Sequence, residues 1–124
     1  MSHPILPDPT TVRRWRQGKG DWADGAAFSN GVAITWTVPC AGVRTIRMRM
    51  LTTTSGGTLS AEFLRGLEDA ATAYAENNPG DVAIVAGTEN KMDVATHYGE
   101  PAIKFTFTPS GDGTLDYADC MFGY

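Results

Sequence analysis

The chain has 124 residues, of which 42% are hydrophobic and 19% charged, with a formal net charge of −4. One domain's length and a core-forming apolar fraction exclude a disordered chain. No segment approaches the roughly 18 apolar residues of a membrane helix, which excludes a helical span.

Charge is unevenly spread. Residues 1–61 carry seven Lys or Arg against three acids, and residues 62–124 carry three against eleven. Such polarity suits contact between copies or with an acidic partner, and it also arises from chance clustering on a solvated surface. The start, MSHPILPDPT, lacks the basic and apolar regions of a signal peptide, which predicts synthesis in a cytoplasm. Cys40 and Cys120 are then expected as reduced thiols, acting as small buried hydrophobes.

Residues 1–30 read as an extended arm or a wrapped segment, and not as core. Pro4, Pro7 and Pro9 prevent regular helix or central strand. The following TVRRWRQGKGDWADG is basic and aromatic, and no period of 2 or 3.6 holds across it. From Gly31 the pattern changes to strands. In GVAITWTVP, Val32, Ile34, Trp36 and Val38 alternate with Ala33, Thr35 and Thr37 before Pro39, the period of a half-buried strand. In VRTIRMRML, Ile46, Met48 and Met50 share one face, and Arg47 and Arg49 share the other. The turn at Ser55-Gly56-Gly57 leads to Leu59, Ala61 and Phe63 in alternation.

Residues 64–78 fit one helix or helical turn, with Leu64, Leu67, Ala70, Ala71 and Tyr74 at helical spacing and Gly66 against it. Asn77-Asn78-Pro79-Gly80 is a turn signal. DVAIVAG suits a strand buried on both faces. TENKMDVATHYGEP reads as a loop with an edge strand around Met92–Thr96. In AIKFTFTP, Ile103, Phe105 and Phe107 face inward, and Ser110-Gly111-Asp112-Gly113 turns into TLDYADCMFGY. There Leu115, Tyr117 and Met121 are expected on one face, and the two strands to form a hairpin. Six or seven short strands with turn signals between them predict an all-β, antiparallel sandwich or jelly roll over 31–124.

The inventory of chemical groups is thin. His3 and His97 are the two histidines, and neither lies in a metal-ligand spacing. Cys40, His97 and an acid have no sequence signature of a nucleophilic triad. GDGTLDYAD departs from a calcium loop and reads as a turn. Phosphate-binding glycine motifs are absent. The expectation is a protein without enzymatic activity, cofactor or metal.

The most distinctive element is RRWRQGKGDW. Arg13, Arg14, Arg16 and Lys19 with Trp15 and Trp22 suit three roles. They could pair with phosphates and stack on bases, dock on a protein partner, or pack the tryptophans on the chain's own sandwich. The acidic body argues against nucleic acid. Arg47 and Arg49 form a second basic stripe, which cross-strand acids could neutralise within the chain or the acidic half of a neighbouring copy could meet. The residues expected to contact a partner are Arg13, Arg14, Trp15, Arg16, Trp22, Arg47 and Arg49.

The basic-aromatic arm, GVRTIRMRML, NNPGDVAIVAGTEN and KFTFTPSGDGTLDYADCMF together resemble the small capsid decoration, or cement, proteins of tailed bacteriophages. That resemblance implies binding to a major capsid protein, self-association into a homo-oligomer, residence in the virion and no cofactor. The alternative is a carbohydrate-binding sandwich module, for which Trp22, Trp36, Tyr74, Tyr98 and Tyr124 are the available aromatics.

Overall fold

The computed structural model describes residues 12–15, 20–67, 73, 78–96 and 99–123, with only the backbone of 12–15. It is all-β, with two antiparallel sheets facing each other and no α-helix among the described residues. The first sheet runs β1 (Val12–Trp15), β9 (Gly113–Gly123), β4 (Thr45–Thr53), β7 (Asn90–Ala95). β2 (Ala26–Phe28) pairs Gly113–Leu115 at the other end of the β9 edge that β1 occupies. The second sheet runs β3 (Ile34–Pro39), β8 (Ala102–Pro109), β5 (Gly57–Leu64), β6 (Val82–Ile84).

The alternation seen in the sequence sets the core. Trp36 and Val38 of β3, Met48 and Met50 of β4, Leu59 and Phe63 of β5, and Phe105 and Phe107 of β8 are all buried between the sheets. Each large apolar side chain removed from water contributes about 1.5–3 kcal/mol. Phe28 of β2 meets Phe107 edge-on at 5.2 Å between ring centroids, a favoured aromatic geometry.

Several expectations are corrected. The region before Gly31 supplies β1 and β2 to the first sheet, so it is not wholly a separate arm. Strand β3 begins at Ile34, leaving Val32 exposed. β6 has three residues, pairs with β5 alone among the described residues and leaves Ala83 exposed, so it is not a strand buried on both faces. β8 and β9 form no hairpin: β8 lies between β3 and β5, whereas β9 lies against β4. The turn at 110–112 instead carries the chain from one sheet to the other. Most of the segment expected as a helix lies outside the described residues; within it, Leu64 and Ala73 form an isolated antiparallel bridge.

A β-bulge decides the outer face. Leu51 pairs Tyr117 but Thr52 pairs Leu115, so Asp116 is the extra residue. One inserted residue moves every later side chain to the opposite face. Leu115 is buried, and beyond the bulge Ala118, Cys120 and Phe122 take the core positions. Tyr117, Asp119 and Met121 consequently point outward, correcting the expectation that Tyr117 and Met121 share the face of Leu115.

Candidate functional site on the outer face of the first sheet

Strand β4 lies at the centre of this face, and register dictates what its arginines meet. Arg47 is opposite Asp93 on β7 and Met121 on β9. Arg49 is opposite Lys91 and Asp119. The Arg47 guanidinium donates twice to the Asp93 carboxylate, from Nε to Oδ1 at 2.6 Å and from the terminal nitrogen to Oδ2 at 3.2 Å. That fork geometry is the strong form of the pair. It raises the Arg47 pKa and holds the Asp93 carboxyl below its ordinary value.

Arg49 lies deeper. Its Nε donates to Asp119 Oδ1 at 3.3 Å, and the Asp119 side chain is fully covered. A terminal nitrogen of Arg49 lies 3.8 Å from Glu89 Oε1. The Tyr117 hydroxyl donates to the same Glu89 oxygen, which, with burial, raises the tyrosine pKa. Thr53 Oγ1 donates to Asp116 Oδ2 at 2.6 Å, fastening the bulge to β4. Acids in the chain therefore meet the charge of both arginines. Of the two fates expected for this stripe, neutralisation within one chain is the one observed, and Arg47 and Arg49 are not bare cations awaiting a partner.

Next to this network is a shallow groove of about 540 Å³. Thr45 and Arg47 of β4, Asp93 and Ala95 of β7, and Met121 and Gly123 of β9 line it. Gly123 has a steric reason: a Cβ there would run into the Thr45 hydroxyl. The groove offers Met121, the short residues Ala95 and Gly123, and the exposed Arg47–Asp93 ion pair, a surface suited to contact with a chain or small ligand.

The arm residues are distributed differently. The backbone of Val12–Trp15, which includes Arg13, Arg14 and Trp15, is a strand in register with Cys120–Gly123, and Arg16 lies outside the described residues. Trp22 is only 1% exposed. Its ring lies 5.3 Å from that of Trp36, and its indole N–H donates to the Thr35 carbonyl at 2.9 Å. Trp22 is therefore a core residue, closing the end of the sandwich beside β3, and is unavailable to a partner in this fold. Of the three roles open to it, self-packing is the one realised.

Cys40 is buried and donates its thiol to the Glu100 carbonyl at 3.3 Å. Burial, reinforced by the Glu100 charge, pushes its pKa up to about 12, opposite to what an activated nucleophile needs. Cys120 is buried and likewise raised by burial. Neither cysteine is in a disulfide. His3 and His97 lie outside the described residues. Asp112 accepts from the Asn30 amide at 2.9 Å. With Asp116 on Thr53 and Asp119 on Arg49, the three acids of GDGTLDYAD serve separate structural contacts. Among the described residues no group of three or more His, Cys, Asp and Glu is placed to hold a metal. For a sugar platform, Trp22 and Trp36 are both buried, and Tyr74, Tyr98 and Tyr124 lie outside the described residues.

The fold defines the chain as an antiparallel β-sandwich. No protein-family model matches its sequence, and no curated protein does. Solved structures do match in fold. A chain of the infectious bursal disease virus particle is similar over 94% of this chain, with a TM-score of 0.51 and 16% identity. A chain from the Gt strain of the same virus is similar over 98%, with the same score and identity. This chain spans 31% and 36% of those two viral chains. A looser likeness, with a TM-score of 0.44 and 16% identity, links 79% of this chain to 77% of the C-terminal CBM6 of LamC from Zobellia galactanivorans.

Proposed function

We propose that this chain is a non-enzymatic structural protein of a virion, a sandwich that docks on capsid neighbours in the manner of decoration or cement proteins. The supporting observation is the fold likeness, over nearly the whole chain, to a chain of an icosahedral virus particle. That likeness supports an icosahedral particle as the setting, and the sequence resemblance supports a tailed bacteriophage. The outer face of the first sheet fits the role physically. Acids of the chain meet Arg47 and Arg49, so the face presents shape, a shallow groove and, among the described residues, the open edge of β7 rather than a bare arginine stripe. Surfaces of that kind gain affinity from complementarity and spread contacts more than from one buried charge.

The test is co-purification. Particles from cells that carry the gene are banded on a density gradient and their protein composition is measured. The reading expects this chain in the particle band at a fixed ratio to the major shell protein. Recovery only in the free-protein fractions would overturn it. A glycan array run on the purified chain discriminates the carbohydrate-binding alternative: specific hits would favour that alternative, and a blank array would remove it.

A further inference from the structure

Strand β7 is an edge. Among the described residues it hydrogen-bonds to β4 alone. Along it, buried Met92 and Val94 alternate with exposed Lys91, Asp93 and Ala95. The amide of Thr96 donates to the Arg44 carbonyl, in the register that sets Thr45 opposite Ala95. Residues bonded to a given neighbour alternate along an antiparallel ladder. Met92 and Val94 therefore aim their N–H and C=O groups at β4, and Lys91, Asp93 and Ala95 aim theirs at the open edge.

A lysine in the middle of such an edge ordinarily guards it against pairing with other chains. Here an acid stands two residues further on, on the same face. Lys91 makes no ion pair within the described residues, whereas Asp93 is held from the β4 side by Arg47.

We infer that β7 pairs antiparallel with β7 of a second copy, about a two-fold axis through Met92. A continuous sheet needs opposed residues to share a face, so two identical strands can slip only in steps that preserve parity. One register sets Lys91 against the other copy's Lys91. Another sets Asp93 against the other copy's Asp93. Like charges directly opposed are destabilising. The register centred on Met92 sets Lys91 against Asp93 twice, once on each side of the axis. In it the Lys91 and Asp93 backbones form hydrogen-bonded pairs, because both face the open edge, and Met92 stays in its own core. Arg47, Asp93 and the other copy's Lys91 then alternate in sign across the join. The spacing of two between lysine and acid turns a guard into a selector of one register and one partner, the chain itself. The pairing rests on edge geometry and not on the virion reading, so the two can fail separately.

Sedimentation velocity on the full chain tests it, with concentrations raised to about 1 mM because so small an interface binds weakly. The wild type is expected to move from 13.3 kDa toward twice that mass. Lys91→Asp gives an all-acidic edge and Asp93→Lys an all-basic one. Each alone should weaken self-association by about tenfold or more, since like charges then oppose each other at two symmetric positions. Mixing the two variants should restore pairing, because every opposed pair is again of opposite sign. Circular dichroism confirms that each single variant is folded. A wild type that stays monomeric, single variants that still dimerise, or a mixture that fails to pair would each overturn the inference.

Discussion

At the scale of single residues, Trp22 and Cys40 show how context assigns a role that residue type leaves open. Trp22 lies in a basic, glycine-rich stretch that reads as surface, yet its indole N–H finds the Thr35 carbonyl and its ring packs on Trp36. Trp22→Ala should cost about 3–5 kcal/mol of stability, the usual range for emptying a buried aromatic site. Urea denaturation measures this, and a loss well under 1 kcal/mol would contradict the core placement. Cys40 makes a prediction with a definite sign. Its folded pKa is raised to about 12 from the model-compound value of 9.0, so the unfolded thiol ionises first as pH rises. The stability it contributes is full below about pH 9 and declines toward pH 12. Cys40→Ala should flatten that alkaline decline in the unfolding midpoint. For the same reason native Cys40 and Cys120 should resist a thiol reagent near pH 8 and react at once in denaturant. Rapid reaction of the folded protein would refute their burial.

At the scale of elements, legibility followed periodicity. Strands β3, β4, β5 and β8 each show clean alternation, and their inward residues in the sequence are the buried ones in the structure, Val32 excepted. What failed were features that break the period or depend on a distant partner. The Asp116 bulge flips the last strand, and reading forward from Leu115 carries the error to Met121. Reading backward from Phe122 through Cys120 and Ala118 would have placed the outward set correctly. Sheet crossing at 110–112 leaves no local mark, because a Gly-rich turn serves a hairpin and a crossover alike. The arginine stripe at Arg47 and Arg49 was visible, but its neutralisation needed the register that brings Asp93 and Asp119 alongside. β1 and β2 were hidden for a similar reason: their partner, β9, is about a hundred residues away in sequence. Removing residues 1–30 would thus strip β9 of both edge strands and remove Trp22. The truncated chain is expected to lose cooperative unfolding, by calorimetry, or to aggregate through the exposed β9 edge. A sharp transition near that of the full chain would show instead that 31–124 is self-sufficient.

At the scale of the whole molecule, the sandwich buries its large apolar side chains between the sheets and meets both arginines of its outer face with its own acids. The remaining resources for recognition are shape and backbone: the groove between β7, β4 and β9, and the edges of β7, β6 and β3 that are open among the described residues. These suit assembly with other protein chains, as the virion proposal requires. No helix among the described residues is long and apolar enough to cross a membrane. Residence of this chain in a virion is tested by a side-chain-level cryo-EM reconstruction of the gradient-purified particles. Density for this two-sheet sandwich is expected at symmetry-related positions on the shell. A complete shell in which no density fits the chain would contradict it.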